Sequence, residues 1–291
     1  MTTTTSALLG SQLGTRRKGK LRLYVCSGIV LLYILAAFFG NLITHYSQNS
    51  INIISTLVPP GGHLTGGGIA LLGTDQLGRS VLAEVVAGAR DSLLIGALTL
   101  AATIVLGVVL GMLAGYYGGL VSSVIMRIVD IQMGFPPLVL AIGLAAVLGP
   151  SITTVVISLS AVYWVTIARV VRAQAMSVKK RDFVDATRVL GGRALFLMKR
   201  CIVPETITPL AVVATSQLGV IIVAAAGLSF LGLGVPANTA DWGQMMANGE
   251  NYLQNAWWIS TMPGIALAIL VIAIGFIGDD LSVRSARRGG S

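Results

Sequence analysis

The chain has 291 residues, of which 55% are hydrophobic and 11% charged, with a mean hydropathy of +0.84. Water-soluble globular domains carry about 25% charged residues, so this composition excludes a soluble domain and a disordered tail. Two cysteines, Cys26 and Cys201, exclude a disulfide scaffold, and two histidines, His45 and His63, suggest no metal centre.

A membrane-spanning helix needs about 20 apolar residues to cross a hydrocarbon core of about 30 Å. The long stretches free of Asp, Glu, Lys and Arg (23–50, 92–126, 131–168, 206–240 and 251–278) form the cores of six expected helices, at roughly 23–43, 92–116, 126–148, 153–172, 202–228 and 257–278. Leu148-Gly149-Pro150-Ser151 is a turn signal that divides the third span from the fourth. The first span follows Arg16, Arg17, Lys18, Lys20 and Arg22, as a signal peptide would. Its apolar run is longer than a signal core, and no small-residue cleavage site follows, so an uncleaved anchor is expected. Eighteen of the twenty Lys and Arg residues fall on one side of this layout, and only Arg79 and Arg90 fall on the other. The positive-inside rule then puts both termini in the cytoplasm. The net charge of +9 is accounted for as a topology signal and calls for no nucleic acid.

The expected layout is a basic N-terminal segment (1–22), the first span (23–43), an extracytoplasmic loop (44–91), a five-helix core (92–278) and a cytoplasmic tail (279–291). The 44–91 loop is Gly- and Pro-rich and ends in Leu72-Gly73-Thr74-Asp75-Gln76-Leu77-Gly78-Arg79, where Thr74 or Asp75 is a candidate helix cap. Ser92 is expected to start the second span. Gly107, Gly111 and Gly115 recur every fourth residue, which makes a flat helix face for close packing. Arg127 and Asp130 are spaced to pair across one helical turn. Pro136-Pro137 and Pro204 are tolerable in first helical turns or mark bends. Trp257 and Trp258, directly after the 229–256 loop, are expected in an interfacial aromatic belt. No ionisable residue is expected at mid-span, which argues against an ion-coupled carrier.

Residues 173–201 form one long cytoplasmic loop. Phe183, Ala186, Leu190, Ala194, Leu197 and Cys201 recur at helical spacing, and Gly191-Gly192 interrupts them. Two short helices meeting at a glycine hinge are expected. They read either as a lipid-surface helix or as a docking element for a cytoplasmic partner.

The motifs resolve that choice. Asp185-Ala186-Thr187-x3-Gly191-x9-Cys201-x-Val203-Pro204 resembles the EAA-x3-G-x9-I-x-L-P loop of ABC importer permeases. Leu72 to Arg79 with Gly88-Ala89-Arg90-x-Ser92-Leu93, and Leu228-Ser229-Phe230-Leu231-Gly232-Leu233-Gly234-Val235 with Trp242-Gly243, are similar to segments of the dipeptide/oligopeptide/nickel group. The similarity is nearest to C-type permease subunits of that group. The tail departs from it, with Gly278-Asp279-Asp280-Leu281-Ser282 in place of Gly-Asp-Gly-Leu-Arg.

The resemblance implies an all-α polytopic membrane protein with the type I importer permease architecture, and no catalysis of its own. It implies a second permease subunit, two ATP-binding subunits and an external substrate-binding protein as partners. ATP and Mg would be bound by the ATPase subunits, and this chain has no G-x4-G-K-[ST] run. Asp185, Ala186, Thr187, Arg188, Gly191, Arg193 and Pro204 would belong to the coupling loop, with lipid-headgroup contact the alternative for Arg188 and Arg193. Gly73, Thr74, Asp75, Gly78 and Arg79 would shape the outer loop or meet the binding protein. Peptides are the expected cargo; nickel or another small solute is the alternative.

Overall fold

The computed structural model describes residues 21–40, 51–65, 67–236 and 239–289. The basic cluster 16–20, residues 44–50 with His45, and the side chains of Arg287 and Arg288 lie outside that description. The described helices are α1 (Leu21–Gly40), α2 (Val81–Tyr117), α3 (Gly119–Met133), α4 (Pro137–Leu148) and α5 (Ile152–Val178). They continue as α6 (Asp182–Val189), α7 (Ala194–Leu197), α8 (Val203–Phe230), α9 (Trp242–Glu250) and α10 (Trp258–Gly289). A π-helical turn over Met198–Ile202 joins α7 to α8. Strands β1 (Gly62–His63) and β2 (Ile69–Ala70) pair antiparallel in the loop before α2.

Among the described residues, five helical runs are long and apolar enough to cross a membrane: α1, α2, α5, Ala194–Phe230 and α10. The expected third span is not one helix, and a count of six is reached only if its bent pair is taken as one span. α3 and α4 meet at an angle of 94° across Gly134-Phe135-Pro136. The cause is local: Pro136 holds an extended backbone (φ −59°, ψ 126°) and Pro137 supplies no N–H to a preceding turn. A straight helix over 126–148 is therefore corrected to a bent pair. α3 also begins seven residues earlier, where Gly118 (φ +68°) and Gly119 (φ +48°) separate it from α2. Arg127 and Asp130 lie in α3 and make no ion pair with each other.

α2 starts at Val81, so Ser92 sits inside it, and Ser80 caps it by accepting from the Ala83 N–H. At 1.5 Å per residue its 37 residues run about 55 Å, well beyond the hydrocarbon core. α2 and α5 run parallel and make the most extensive helix contact of the fold. The glycine face sits in that seam: Gly107 lies on Trp164 and Ile167, Gly111 on Ala168, and Gly115 on Arg172 and Ala175. Arg169 and Arg172 lie within α5, which continues to Val178, six residues past the expected end of that span. Helix α1 runs along α10, with the Tyr33 hydroxyl donating to Ala266 O (2.9 Å) and Arg22 over the Phe276 ring. These pairings put the starts of α1 and α6 and the ends of α2, α5 and α10 at one end of the molecule. The 51–80 segment and α9 lie at the opposite end.

Candidate functional site

At the first end, α5 gives way to the turn Lys179-Lys180-Arg181 and then to α6. Asp182 and Asp185 occupy the first turn of α6 and Arg188 its last, each favourable to the helix dipole. Val184 is fully buried and pins α6 into a cluster with Met112, Ile167, Val178, Leu197 and Ile202. Phe183, Val189 and Leu190 stay exposed, the last two at 87% and 88%. α6 ends in two hydrogen bonds, Gly191 N–H to Arg188 O and Gly192 N–H to Thr187 O, both 3.0 Å. That pair is the Schellman motif, and it requires the left-handed φ of +88° found at Gly191. A Cβ at Gly192 would meet Thr187 O at 2.8 Å.

The expected glycine hinge between two short helices is present, but the expected apolar stripe is not. Phe183, Ala186 and Leu190 face outward, whereas Val184, Leu197, Met198 and Ile202 face the core. The positive φ at Gly191 resets the helical phase, so spacing counted through it fails. Among the other coupling residues, Thr187 Oγ1 donates to Phe183 O (2.7 Å), and Arg188 pairs with Asp185. Exposed Arg193 precedes α7, and exposed Pro204 sits in the first turn of α8. Arg181 bonds Glu205 (2.7 Å), tying the turn to α8. A cavity of 630 Å³ behind α6 is lined by Arg172, Lys179, Lys180 and Arg188 with Asp185. Arg172 Nε donates to Ser122 Oγ (3.0 Å) beside it.

At the opposite end, the Gly73–Arg79 segment is a buried polar knot. Thr74 Oγ1 donates to Ser55 O (2.6 Å) and accepts from the Val58 N–H (2.8 Å). Asp75 is 1% exposed. Its Oδ1 accepts from the backbone N–H of Leu77 (2.9 Å) and Arg79 (2.7 Å), and its Oδ2 takes the Arg79 guanidinium (2.6 Å). Arg79 also reaches Glu84 Oε1 at 2.8 Å, which joins the knot to α2. Neither Thr74 nor Asp75 caps a helix; Ser80 has that role. Gly78 (φ +75°) passes so near Asn52 that a Cβ would sit 1.9 Å from its carbonyl oxygen. Trp258 is 5% exposed and donates through Nε1 to Thr74 O (3.0 Å), so it belongs to this core and not to an interfacial belt. Trp257 is 48% exposed.

One buried group escaped the sequence reading. Asp241, 2% exposed, caps α9 by accepting from Gly243 N–H (3.0 Å) and Gln244 N–H (3.2 Å). Its Oδ1 accepts from Ser92 Oγ (3.0 Å), binding α9 to mid-α2. Burial pushes its carboxyl above the ordinary range, against the pull of bonds from Ser229, Ser92 and the backbone. Trp242 beside it is fully buried, with Nε1 donating to Val85 O (2.9 Å). An Asp directly before Trp-Gly is a cap signal legible in the sequence; its partner Ser92, 149 residues away, is not.

Comparison with known proteins agrees with this architecture. A family model described as binding-protein-dependent transport system inner membrane component matches residues 107–288. The dipeptide transport system permease protein DppC of Escherichia coli (strain K12) is 40% identical over 252 residues, 87% of this chain and 84% of that protein. The di/tripeptide transport system permease protein DppC of Pseudomonas aeruginosa (strain UCBPP-PA14) is 38% identical over 252 residues, 87% of this chain and 83% of that protein. Among solved structures, an inward-facing MetNI methionine ABC transporter aligns with a TM-score of 0.54 at 18% identity. The alignment covers 70% of this chain and 97% of that one, a likeness of fold. The chain is a multi-pass membrane protein and belongs to the binding-protein-dependent transport system inner membrane components, the permease subunits of ABC importers.

Proposed function

We propose that the chain moves peptides delivered by an external binding protein, as one of two permease subunits seated on two ATPase subunits that bind the ATP and Mg. In this reading both termini and α6 are cytoplasmic, the 51–80 knot and α9 face outward, and α6 is the coupling helix. The observation that carries it is the presentation of α6. Val184 anchors one face to the core, while Phe183, Val189 and Leu190 stand exposed on a helix stopped rigidly at Gly191. Exposed apolar side chains on a short charged helix call for a protein surface to cover them. A partner that grips α6 differently in two nucleotide states would transmit its motion through Val184 and the Leu197–Ile202 turn to α5 and α8.

The test uses the whole complex in proteoliposomes and the Gly191→Val variant. Nothing lies within 4 Å of the added Cβ, so the strain falls on the backbone alone. A β-branched residue at this φ costs about 1–3 kcal/mol, enough to distort the end of α6 without unfolding the span. Assembly in the membrane with loss of ATP-driven peptide uptake is the expected result. Undiminished uptake would refute the coupling role.

A further inference from the structure

We propose that Arg169, with Gln132 and Gln217, forms a way-station for the peptide's α-carboxylate and backbone N–H groups inside the membrane-spanning region; this rests on the peptide reading above. The site lies beside the α3–α4 break. Irregular backbone at membrane depth is tolerated where it is buried in protein or lines a cavity, and in secondary transporters discontinuous helices form the substrate site, a physical precedent for a ligand at such a break. Here Phe135 of the break, Tyr163, Thr166 and Arg169 of α5, and Gln217 of α8 line a cavity of 420 Å³. That volume is within the range of about 300–1,000 Å³ typical of small-ligand sites.

The polar groups are arranged for a ligand with both acceptor and donor ends. Gln132 Nε2 donates to Ala161 O (2.9 Å) and Val162 O (2.8 Å), and Gln217 Nε2 donates to Tyr163 O (3.4 Å). Their donors are thus committed to the backbone of α5, and no donor among the described residues reaches either Oε1. Arg169 lies nine residues before the end of α5, about 13 Å along the helix. Its guanidinium meets the neutral Met133 sulfur, and no carboxylate among the described residues is within ion-pair distance. A cation on a spanning helix is costly unless it faces a cavity or finds a counter-charge. The guanidinium fork matches a carboxylate bidentately. Every peptide supplies that carboxylate, and its backbone N–H groups suit the two Oε1 atoms, so recognition would be independent of side-chain sequence.

The experiment reconstitutes the complex with its binding protein and compares wild type, Arg169→Gln and Arg169→Lys. It measures uptake of a dipeptide, ATPase stimulation, and labelling of the chain by a photoactivatable dipeptide. Arg169→Gln should lower uptake about tenfold or more and abolish labelling of α5, with stimulated ATPase held within about twofold; Arg169→Lys should retain an intermediate rate. Uptake and labelling equal to wild type would overturn the site and leave the peptide reading intact. Parallel loss of ATPase and uptake would overturn it in favour of a structural role. A wild-type uptake that requires anionic lipid, with the requirement gone in Arg169→Gln, would overturn it in favour of a headgroup anchor. A wild-type complex that hydrolyses ATP and takes up no peptide would refute the peptide reading and this ligand with it.

Discussion

Replacing Gly111 by alanine isolates the contribution of the α2–α5 seam. Alanine is the better helix former by about 1 kcal/mol, so at an open helical site the change should stabilise. At Gly111 the added Cβ would lie 2.6 Å from Ala168 O, 3.0 Å from Ala168 Cα and 3.0 Å from Val171 Cβ. All three are backbone or stem atoms that cannot swing aside, so the two helices must separate by several tenths of an ångström. Overpacking of this kind costs about 1–3 kcal/mol, and the separation also loosens the flanking contacts of Gly107 and Gly115. The net expectation is a loss of about 1–2 kcal/mol, or a fall of a few degrees in Tm. Gly143→Ala in α4 and Gly275→Ala in α10 are the controls, because nothing lies within 4 Å of either added Cβ. Thermal unfolding of the purified complex in detergent reads all three. The double variant Gly107→Ala/Gly111→Ala should lose less than the sum of its parts, since a seam opened once accommodates the second methyl. A Gly111→Ala complex as stable as the two controls would refute the close-packing argument.

Two further outcomes are expected at the opposite end. Asp75→Asn keeps the shape of the knot but removes the charge facing Arg79, leaving that guanidinium with Glu84 (2.8 Å); a loss of about 2–3 kcal/mol should appear as faster proteolysis of the 51–80 segment, and unchanged cleavage would refute the pairing argument. The raised carboxyl of Asp241 means that the folded chain holds this proton more tightly than the unfolded one, so stability falls as pH rises from the ordinary carboxylate range through the folded value. Asp241→Asn removes that slope, and its Tm relative to wild type should climb as pH rises above the ordinary carboxylate range, whereas a constant difference would refute the assignment.

Much of the framework was legible because hydropathy and helix punctuation are local. Leu148-Gly149-Pro150-Ser151 read as a turn, and the structure has Gly149 at φ +78° with Ser151 capping α5 through the Thr154 N–H (3.0 Å). The seam glycines were legible from their spacing. Helix ends set by the first charge were not, because tertiary partners accommodate those charges. α2 begins eleven residues before Ser92, and Glu84 is carried inside the fold by Arg79. The end of the fourth helix was missed for a related reason: charge counting placed Arg169 near its end, on the basic side, whereas α5 continues nine residues beyond it. The stripe through 183–201 failed because one left-handed glycine changes the phase, which no period count detects.

The long-range bonds that were illegible divide the molecule mechanically. At the end opposite α6, Thr74, Asp75, Arg79, Glu84, Ser92 and Asp241 form buried polar contacts, and a broken one leaves an unsatisfied group in the interior. At the α6 end the pairs Asp185–Arg188 and Arg181–Glu205 have side chains 43–57% exposed, where ion pairs are worth about 0–1 kcal/mol. What holds α6 there is largely the apolar anchor Val184, on a helix of eight residues. Elements with few buried contacts open first. A pull on α6, as the proposed coupling requires, would therefore displace the turn and the Leu197–Ile202 segment before it disturbs the 51–80 knot. The close α2–α5 seam links the α6 end to the cavity beside the α3–α4 break, so under the proposed coupling a displacement of α6 would first alter the space at that cavity.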